Sequence, residues 1–208
     1  SLSNFNGYNV SCNGSTNGTV YVSVSGGVAN YAYMWNNGTT GQNLYNVGNG
    51  SYYLSVADLN SCNESVDTLL VEPPALTQSY SVAQPSCNGV ANGSVNLTVA
   101  GGVAPFSYVW SNSTTSEDLL NIASGTYSVV FTDANGCSDS LALNVTQPQN
   151  ITLVKEVDRI KCYGDTTAGV KLDINGGTIP YTFNWSNGGT SKDITSVGSG
   201  TYVVTITD

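Results

Sequence analysis

Residues 93–110 read GSVNLTVAGGVAPFSYVW, and the fold follows from that stretch. Val95, Leu97 and Val99 alternate with polar or small residues, the period-2 pattern of a strand that buries one face. Gly101-Gly102 breaks the pattern as a turn does, since glycine takes the positive φ that tight turns need. Beyond it Phe106, Tyr108 and Trp110 share one face of a second strand. The same succession recurs at residues 18–35 (GTVYVSVSGGVANYAYMW) and 168–185 (AGVKLDINGGTIPYTFNW).

The interval is constant. Cys12, Cys87 and Cys162 are spaced by 75 residues, and so are Trp35, Trp110 and Trp185. The same step joins Tyr52, Tyr127 and Tyr202, and then Asp58, Asp133 and Asp208. Independent markers on one period identify a tandem repeat. A third clear strand carries Tyr52, Leu54 and Val56 and their counterparts, and weaker ones lie before each first cysteine and near Val66–Val71 and Leu141–Val145. Six or seven short strands per copy predict an all-β chain of tandem Ig-like β-sandwich repeats of about 75 residues, forming an elongated array. Glu72-Pro73-Pro74 and Gln147-Pro148 set the boundaries, giving repeats over 1–73, 74–148 and 149–208, the last cut before its second cysteine. Linkers stiffened by proline predict semi-rigid neighbours. Trp35, Trp110, Trp185, Tyr52, Tyr127 and Tyr202 are the expected core markers.

Charge narrows the function. Only 9% of the residues are charged, so solubility rests on Asn, Ser and Thr. The net charge is -9, and all the cations (Lys155, Arg159, Lys161, Lys171, Lys192) fall after residue 154. A chain so poor in cations cannot neutralise phosphates, which argues against nucleic acid as a partner and against anionic membrane surfaces. No stretch approaches the roughly 18 apolar residues of a membrane span, so direct insertion is not expected. No signal peptide is visible either, and the chain reads as an excerpt.

Cysteines suggest an oxidising setting outside the cell. Cys12 and Cys62 stand 50 residues apart, as do Cys87 and Cys137. The spacing reads as bridges Cys12–Cys62 and Cys87–Cys137, with the partner of Cys162 four positions beyond Asp208. Bridged Cα atoms lie within roughly 7 Å, which would place both cysteines of a repeat at one pole of its sandwich. An even number of strand passes must then separate them, so Leu44–Val47 is read as a fourth pass. With one more strand at each end, both termini fall at the same pole, in conflict with a straight array.

No histidine is present, which excludes Ser-His-Asp, Cys-His and His-based metal chemistry, and no enzyme is expected. Glu117-Asp118 could be an acid/base pair, but the other copies carry Gln42-Asn43 and Lys192-Asp193, so a solvated turn is favoured. Asp133-Ala134-Asn135-Gly136 resembles part of a calcium loop, and Asp58, Asn60 and Asp208 occupy equivalent places. A β-turn capped by its own aspartate needs the same residues, and that reading is preferred over calcium, the sole cofactor considered. The Tyr31, Tyr33, Trp35 row could stack on surface glycans, although its inward parity favours core. Twelve asparagines sit in Asn-x-Ser/Thr sequons, among them Asn17, Asn92 and Asn112.

The order Cys-x-Gly, Gly-Gly-x-x-Pro, Trp-Ser-Asn-Gly, Ser-Gly-Thr-Tyr and Thr-Asp-Ala-Asn-Gly-Cys resembles the SprB-type repeat of Bacteroidota surface adhesins. The second copy fits best, through Cys87, Pro105-Phe106, Trp110, Ser124-Gly125-Thr126-Tyr127 and Asp133 to Cys137. The first departs most, with Asn30 in place of proline and Asn60-Ser61-Cys62. The resemblance implies giant extracellular proteins at the cell surface, exported by the type IX system and serving adhesion and gliding motility. The expected role is a stalk or adhesive thread whose partners are neighbouring repeats of the same chain. Rival expectations are a filament that associates with itself into fibres and a carbohydrate-binding accessory module of a secreted enzyme.

Overall fold

The computed structural model describes residues 1–208 and consists of strands joined by turns. The first repeat holds β1 (Gly18–Val20), β2 (Ala32–Trp35), β3 (Leu44–Val47), β4 (Gly50–Ala57) and β5 (Asn63–Leu70). The second holds β6 (Thr77–Ala83), β7 (Gly93–Ala100), β8 (Ser107–Trp110), β9 (Leu119–Ile122), β10 (Gly125–Thr132) and β11 (Ser138–Val145). The third holds β12 (Thr152–Asp158), β13 (Ala168–Asn175), β14 (Thr182–Trp185), β15 (Ile194–Val197) and β16 (Val204–Thr207). Each repeat has two small sheets: β1-β3 with β2-β4-β5, β6-β7-β9 with β8-β10-β11, and β12-β13-β15 with β14-β16. The chain is thus all-β, built of Ig-like β-sandwich repeats.

By internal contacts the chain forms two compact units. One comprises Ser1–Ser81, Asn96–Leu119 and Tyr127–Leu143; the other comprises Val82–Val95, Leu120–Thr126 and Asn144–Asp208. The first unit contains the whole first repeat, whose core is Val20, Trp35, Leu44, Leu54 and Leu70. In the second unit Leu172, Trp185 and Ile194 form the core of the third repeat. The predicted faces hold: Val20 is buried while Tyr21, Ser23 and Ser25 are exposed, and Trp110 and Phe131 are buried.

The predicted fourth strand pass does not exist. β2 pairs with only the second half of β4, Ala32 opposite Ala57 and Trp35 opposite Leu54. The chain then leaves that sheet and crosses to the other, where β3 pairs with β1, Val47 opposite Gly18. β2 and β3 are two halves of one pass. The Trp35 indole donates to Gly41 O at 2.9 Å, holding the crossing loop over the core. The β4 edge that β2 vacates is covered by Asn36, whose N–H donates to Tyr53 O at 2.9 Å and whose Nδ2 donates to Ser51 O at 3.1 Å. The later copies keep this device with serine: Ser128 N–H donates to Ser111 Oγ and Val203 N–H to Ser186 Oγ.

This corrects the topology. Three passes separate Cys12 from Cys62: β1, the split β2/β3, and β4. An odd number puts the two cysteines at opposite poles of the first repeat. One pole, here termed upstream, carries the Gly26-Gly27 turn and the Asp58–Cys62 loop, joined by Val28 N–H to Asp58 Oδ2 at 3.0 Å. The downstream pole carries the Cys12 loop and the exit at Pro73, joined by Asn13 Nδ2 to Pro73 O at 3.2 Å. With an incoming segment before Cys12 and β5 after Cys62, the passes number five, and the chain leaves a repeat at the pole opposite the one where it arrives.

The incoming segment differs among copies. Thr152 on β12 lies opposite Asn175, and seven residues pair in sequence. Its counterpart Leu2 lies opposite Val20 instead of Ser25. Val22 to Ser25 therefore lack a strand partner, and a hollow of about 450 Å³ opens among Val22, Val24, Leu54, Val56 and Val66.

Candidate functional site

The molecule's most elaborated feature is the join between one repeat and the next. The join of the first and second repeats lies wholly within the first compact unit. Glu72 reaches back to accept Gly14 N–H at 2.7 Å and Asn49 Nδ2 at 3.0 Å. Together with the Asn13 to Pro73 bond, this fixes the direction in which the linker leaves. In the second compact unit Gly89 N–H donates to Gln147 Oε1 at 2.9 Å and Asn88 Nδ2 to Pro148 O at 3.1 Å. The clamp is thus repeated, with Gln147 in the place of Glu72.

Past the clamp, the linker crosses the Gly-Gly turn of the following repeat. Gly102 N–H donates to Pro74 O at 2.9 Å, and in the other unit Gly177 N–H donates to Gln149 O at 2.8 Å. Gly101 has φ +78, and a Cβ there would stand 1.9 Å from Ala75 O; at Gly176 it would stand 2.1 Å from Asn150 O. Both the backbone conformation and the close approach demand glycine. The turn is a seat for the linker as well as a reversal of the strand.

The third element is covalent. Cys12 is bonded to Cys137, 125 residues away, with Cα atoms 5.7 Å apart. The expected pairs Cys12–Cys62 and Cys87–Cys137 are not formed; Cys62, Cys87 and Cys162 are exposed free thiols. The reason is the odd number of passes, which places Cys12 at the downstream pole and Cys62 at the upstream one. Cys12 instead meets the upstream loop of the second repeat. Around the bridge Asn135 Nδ2 donates to Ser11 O at 2.9 Å and to Phe5 O at 3.3 Å, and Asn6 Nδ2 donates to Asn135 Oδ1 at 2.7 Å. A shallow hollow of about 300 Å³ lies beside it, lined in part by Cys12, Pro73, Leu76, Gly102 and Asp139.

Of the calcium candidates, Asp133 and Asn135 belong to this joint, while Asp58, Asn60 and Asp208 hold the equivalent places in the other repeats. Asp133 Oδ1 accepts the N–H groups of Asn135 and Cys137 at 2.9 and 2.8 Å, and its Oδ2 accepts Val103 N–H at 2.9 Å. Asp58 does likewise with Asn60, Cys62 and Val28, and Asp208 Oδ2 accepts Thr178 N–H at 2.8 Å. Each carboxylate ties its loop to the Gly-Gly turn, and Asp58 and Asp133 also cap their own loops, as the capped-turn reading expects. The N–H groups of Val28, first, and Cys62 hold the Asp58 carboxyl below its ordinary value. A depressed carboxylate stabilises the folded loop above its unfolded pKa and loses that contribution as pH falls through the folded pKa. In an acid titration followed by NMR, the amide signals of Val28, Asn60 and Cys62 are therefore expected to move together, with a midpoint below about 3.9, the value of free aspartate. A midpoint at or above that value would refute the role.

The remaining candidates have structural duties. Trp35, Trp110 and Trp185 are buried, each indole donating to a carbonyl six residues on. Tyr52, Tyr127 and Tyr202 are only half-buried; the hydroxyls of Tyr52 and Tyr202 donate to Gly48 O and Gly198 O at the margin of the sandwich. Asp118 Oδ1 accepts Leu97 N–H at 2.9 Å, a role shared by Asn43 toward Val22 and Asp193 toward Leu172. Burial, reinforced by the Glu117 carboxylate, pushes the Tyr108 phenol up to about 12. Asn17 and Asn92 brace their cysteine loops, each Nδ2 donating to Ser11 or Ser86 Oγ at 2.8 Å. A glycan on either nitrogen would compete with that bond.

Residues 6–40, 79–115 and 157–190, together just over half of the chain, match the model of the SprB repeat. The chain belongs to the SprB-repeat family. It is accordingly a repeat region of a cell-surface protein. No curated protein sequence matches it. Among solved structures, the SprB-repeat chain is similar to an amphioxus IgVJ-C2 molecule at 16% identity, covering 62% of this chain and 95% of that one with a TM-score of 0.31. It is also similar to domains 4–9 of the surface layer protein SbsC at 14% identity, covering 92% of this chain and 37% of that one with a TM-score of 0.23.

Proposed function

We propose that these SprB repeats form a stalk of a secreted bacterial adhesin, projecting a binding region away from the cell, and that they carry no catalytic activity. The observation that supports this is the odd number of passes: the chain arrives at one pole of a repeat and leaves at the other, so every added copy adds length. Repetition also multiplies weak contacts, which lets avidity replace a single tight site. Export by the type IX system and a part in gliding motility rest on membership of the family alone. The inward Trp rows speak against the carbohydrate-binding alternative.

Recombinant arrays with increasing numbers of copies test the stalk directly. In electron micrographs their contour length is expected to grow linearly, by about 30–35 Å per copy, the span of an eight-residue strand with its loops. Arrays that compact into globules of constant length would overturn the reading, and ordered lateral fibres would favour the filament.

A further inference from the structure

The bridge Cys12–Cys137 joins the first cysteine of one repeat to the second cysteine of the next. Both loops have copies in the chain whose cysteines are free. Around Cys87, Ser86 N–H donates to Asn92 Oδ1 at 3.0 Å and Asn88 Nδ2 reaches Pro148 O at 3.1 Å; around Cys12, Ser11 and Asn13 do the same toward Asn17 and Pro73 at 3.0 and 3.2 Å. Around Cys62, Asp58 Oδ1 accepts the cysteine N–H at 2.9 Å, as Asp133 does for Cys137 at 2.8 Å. Cys87 and Cys62 thus sit in loops held by the same hydrogen bonds that already support a bond elsewhere in the molecule, and both are exposed.

We infer that the bond is a rule of the array: each first cysteine pairs with the second cysteine 125 residues later, linking every repeat covalently to its successor. Where a further repeat follows on the same period, the partner of Cys87 falls four residues beyond Asp208, and the partner of Cys162 lies one repeat beyond that. Where one precedes, its first cysteine stands 125 residues before Cys62. In each bond two thiols give up two protons and two electrons to a disulfide oxidant, which leaves as two thiols, and one S–S bond forms. This pairing holds whether or not the array is an adhesive stalk.

The bonds overlap, and that gives the ladder a mechanical consequence. The shortest covalent route from one bridge to the next runs from Cys137 back to Cys87, a distance of 50 residues. An array unfolded by tension then extends by 50 residues per repeat, about 170 Å, instead of the 75 residues, about 255 Å, of an unbridged one. Bridges within repeats would leave only 25 residues per repeat, between Cys62 and Cys87.

The test extends the full chain by a second copy of residues 134–148 placed after Asp208, which completes the third repeat and supplies a sixth cysteine. Thiol titration of the oxidised, folded protein is expected to count two free thiols, Cys62 and Cys162. Digestion after glutamate is expected to join residues 65–117 to the C-terminal peptide. A count of zero, from bridges within repeats, overturns the rule. A count of four, from a bond at Cys12–Cys137 alone, overturns it as well. In the same protein Cys87→Ser is expected to raise the count from two to three, since it removes one bonded thiol and frees its partner; an unchanged count contradicts the assignment.

Discussion

Replacing either end of the bridge, Cys12→Ser or Cys137→Ser, is expected to destabilise the first compact unit by about 3–5 kcal/mol. Closing a loop of 125 residues removes unfolded-chain entropy worth about 5 kcal/mol, the upper end of this range. In a chain of this size that corresponds to a fall in Tm of about 10 °C. The double variant is expected to match the singles, because all three remove the same bond. Cys62→Ser, Cys87→Ser and Cys162→Ser involve exposed, unbonded side chains and are expected to stay within about 0.5 kcal/mol of the parent. Denaturant unfolding under non-reducing conditions measures all six variants. Pairing within repeats would reverse the pattern, making Cys62→Ser and Cys87→Ser as costly as the others.

The second large effect is expected at Gly101→Ala. The new methyl would stand 1.9 Å from the Ala75 carbonyl oxygen at φ +78, so the linker must move off its seat. Overpacking and left-handed strain together predict a loss of about 3–5 kcal/mol. Gly38→Ala is the control: its φ is +85, but nothing lies within 4 Å of the place its methyl would take. Ser113, the counterpart of Gly38 in the second repeat, already adopts φ 69. The control is therefore expected to cost about 1 kcal/mol. Equal losses at the two glycines would show that Gly101 is needed for its backbone angle alone and that the linker is not seated on the turn.

The strands and their faces were legible because they are written locally. Alternation at Val95, Leu97 and Val99, or at Phe106, Tyr108 and Trp110, follows from the period-2 geometry of any half-buried strand, and the structure buries the first face and Trp110 and half-buries Phe106 and Tyr108. Disulfide pairing is not local. In a repeat of 75, separations of 50 and 125 occupy the same phase, so spacing alone does not distinguish a bond within a repeat from one between repeats. What separates them is the number of passes, and that was hidden by β2 and β3. At four residues each they span about half the length of eight-residue β4, which was the available signal that together they make one pass. The conflict over termini at the same pole pointed the same way.

The joint itself was mostly illegible for a different reason. Glu72 and Gln147 accept the same glycine N–H, and Asn43, Asp118 and Asp193 accept the same strand N–H, although their residue types differ. A role that needs only a side-chain oxygen leaves no constant letter to find. The tyrosines erred in the opposite direction: Tyr52 and Tyr202 are constant, yet their hydroxyls need a polar partner and so hold them at the edge of the core.

The covalent bond lies between repeats, and one peptide map tests it. The first 154 residues lack Lys and Arg, so trypsin is of no use, but glutamate occurs at Glu64, Glu72, Glu117 and Glu156. The bond after Glu72 precedes proline and resists cleavage, so an endoproteinase specific for glutamate yields residues 1–64, 65–117, 118–156 and 157–208. Digested without reduction, the chain is expected to yield 1–64 joined to 118–156, with 65–117 and 157–208 free. Residues 65–117 joined to 118–156, with 1–64 closed on itself, would contradict it.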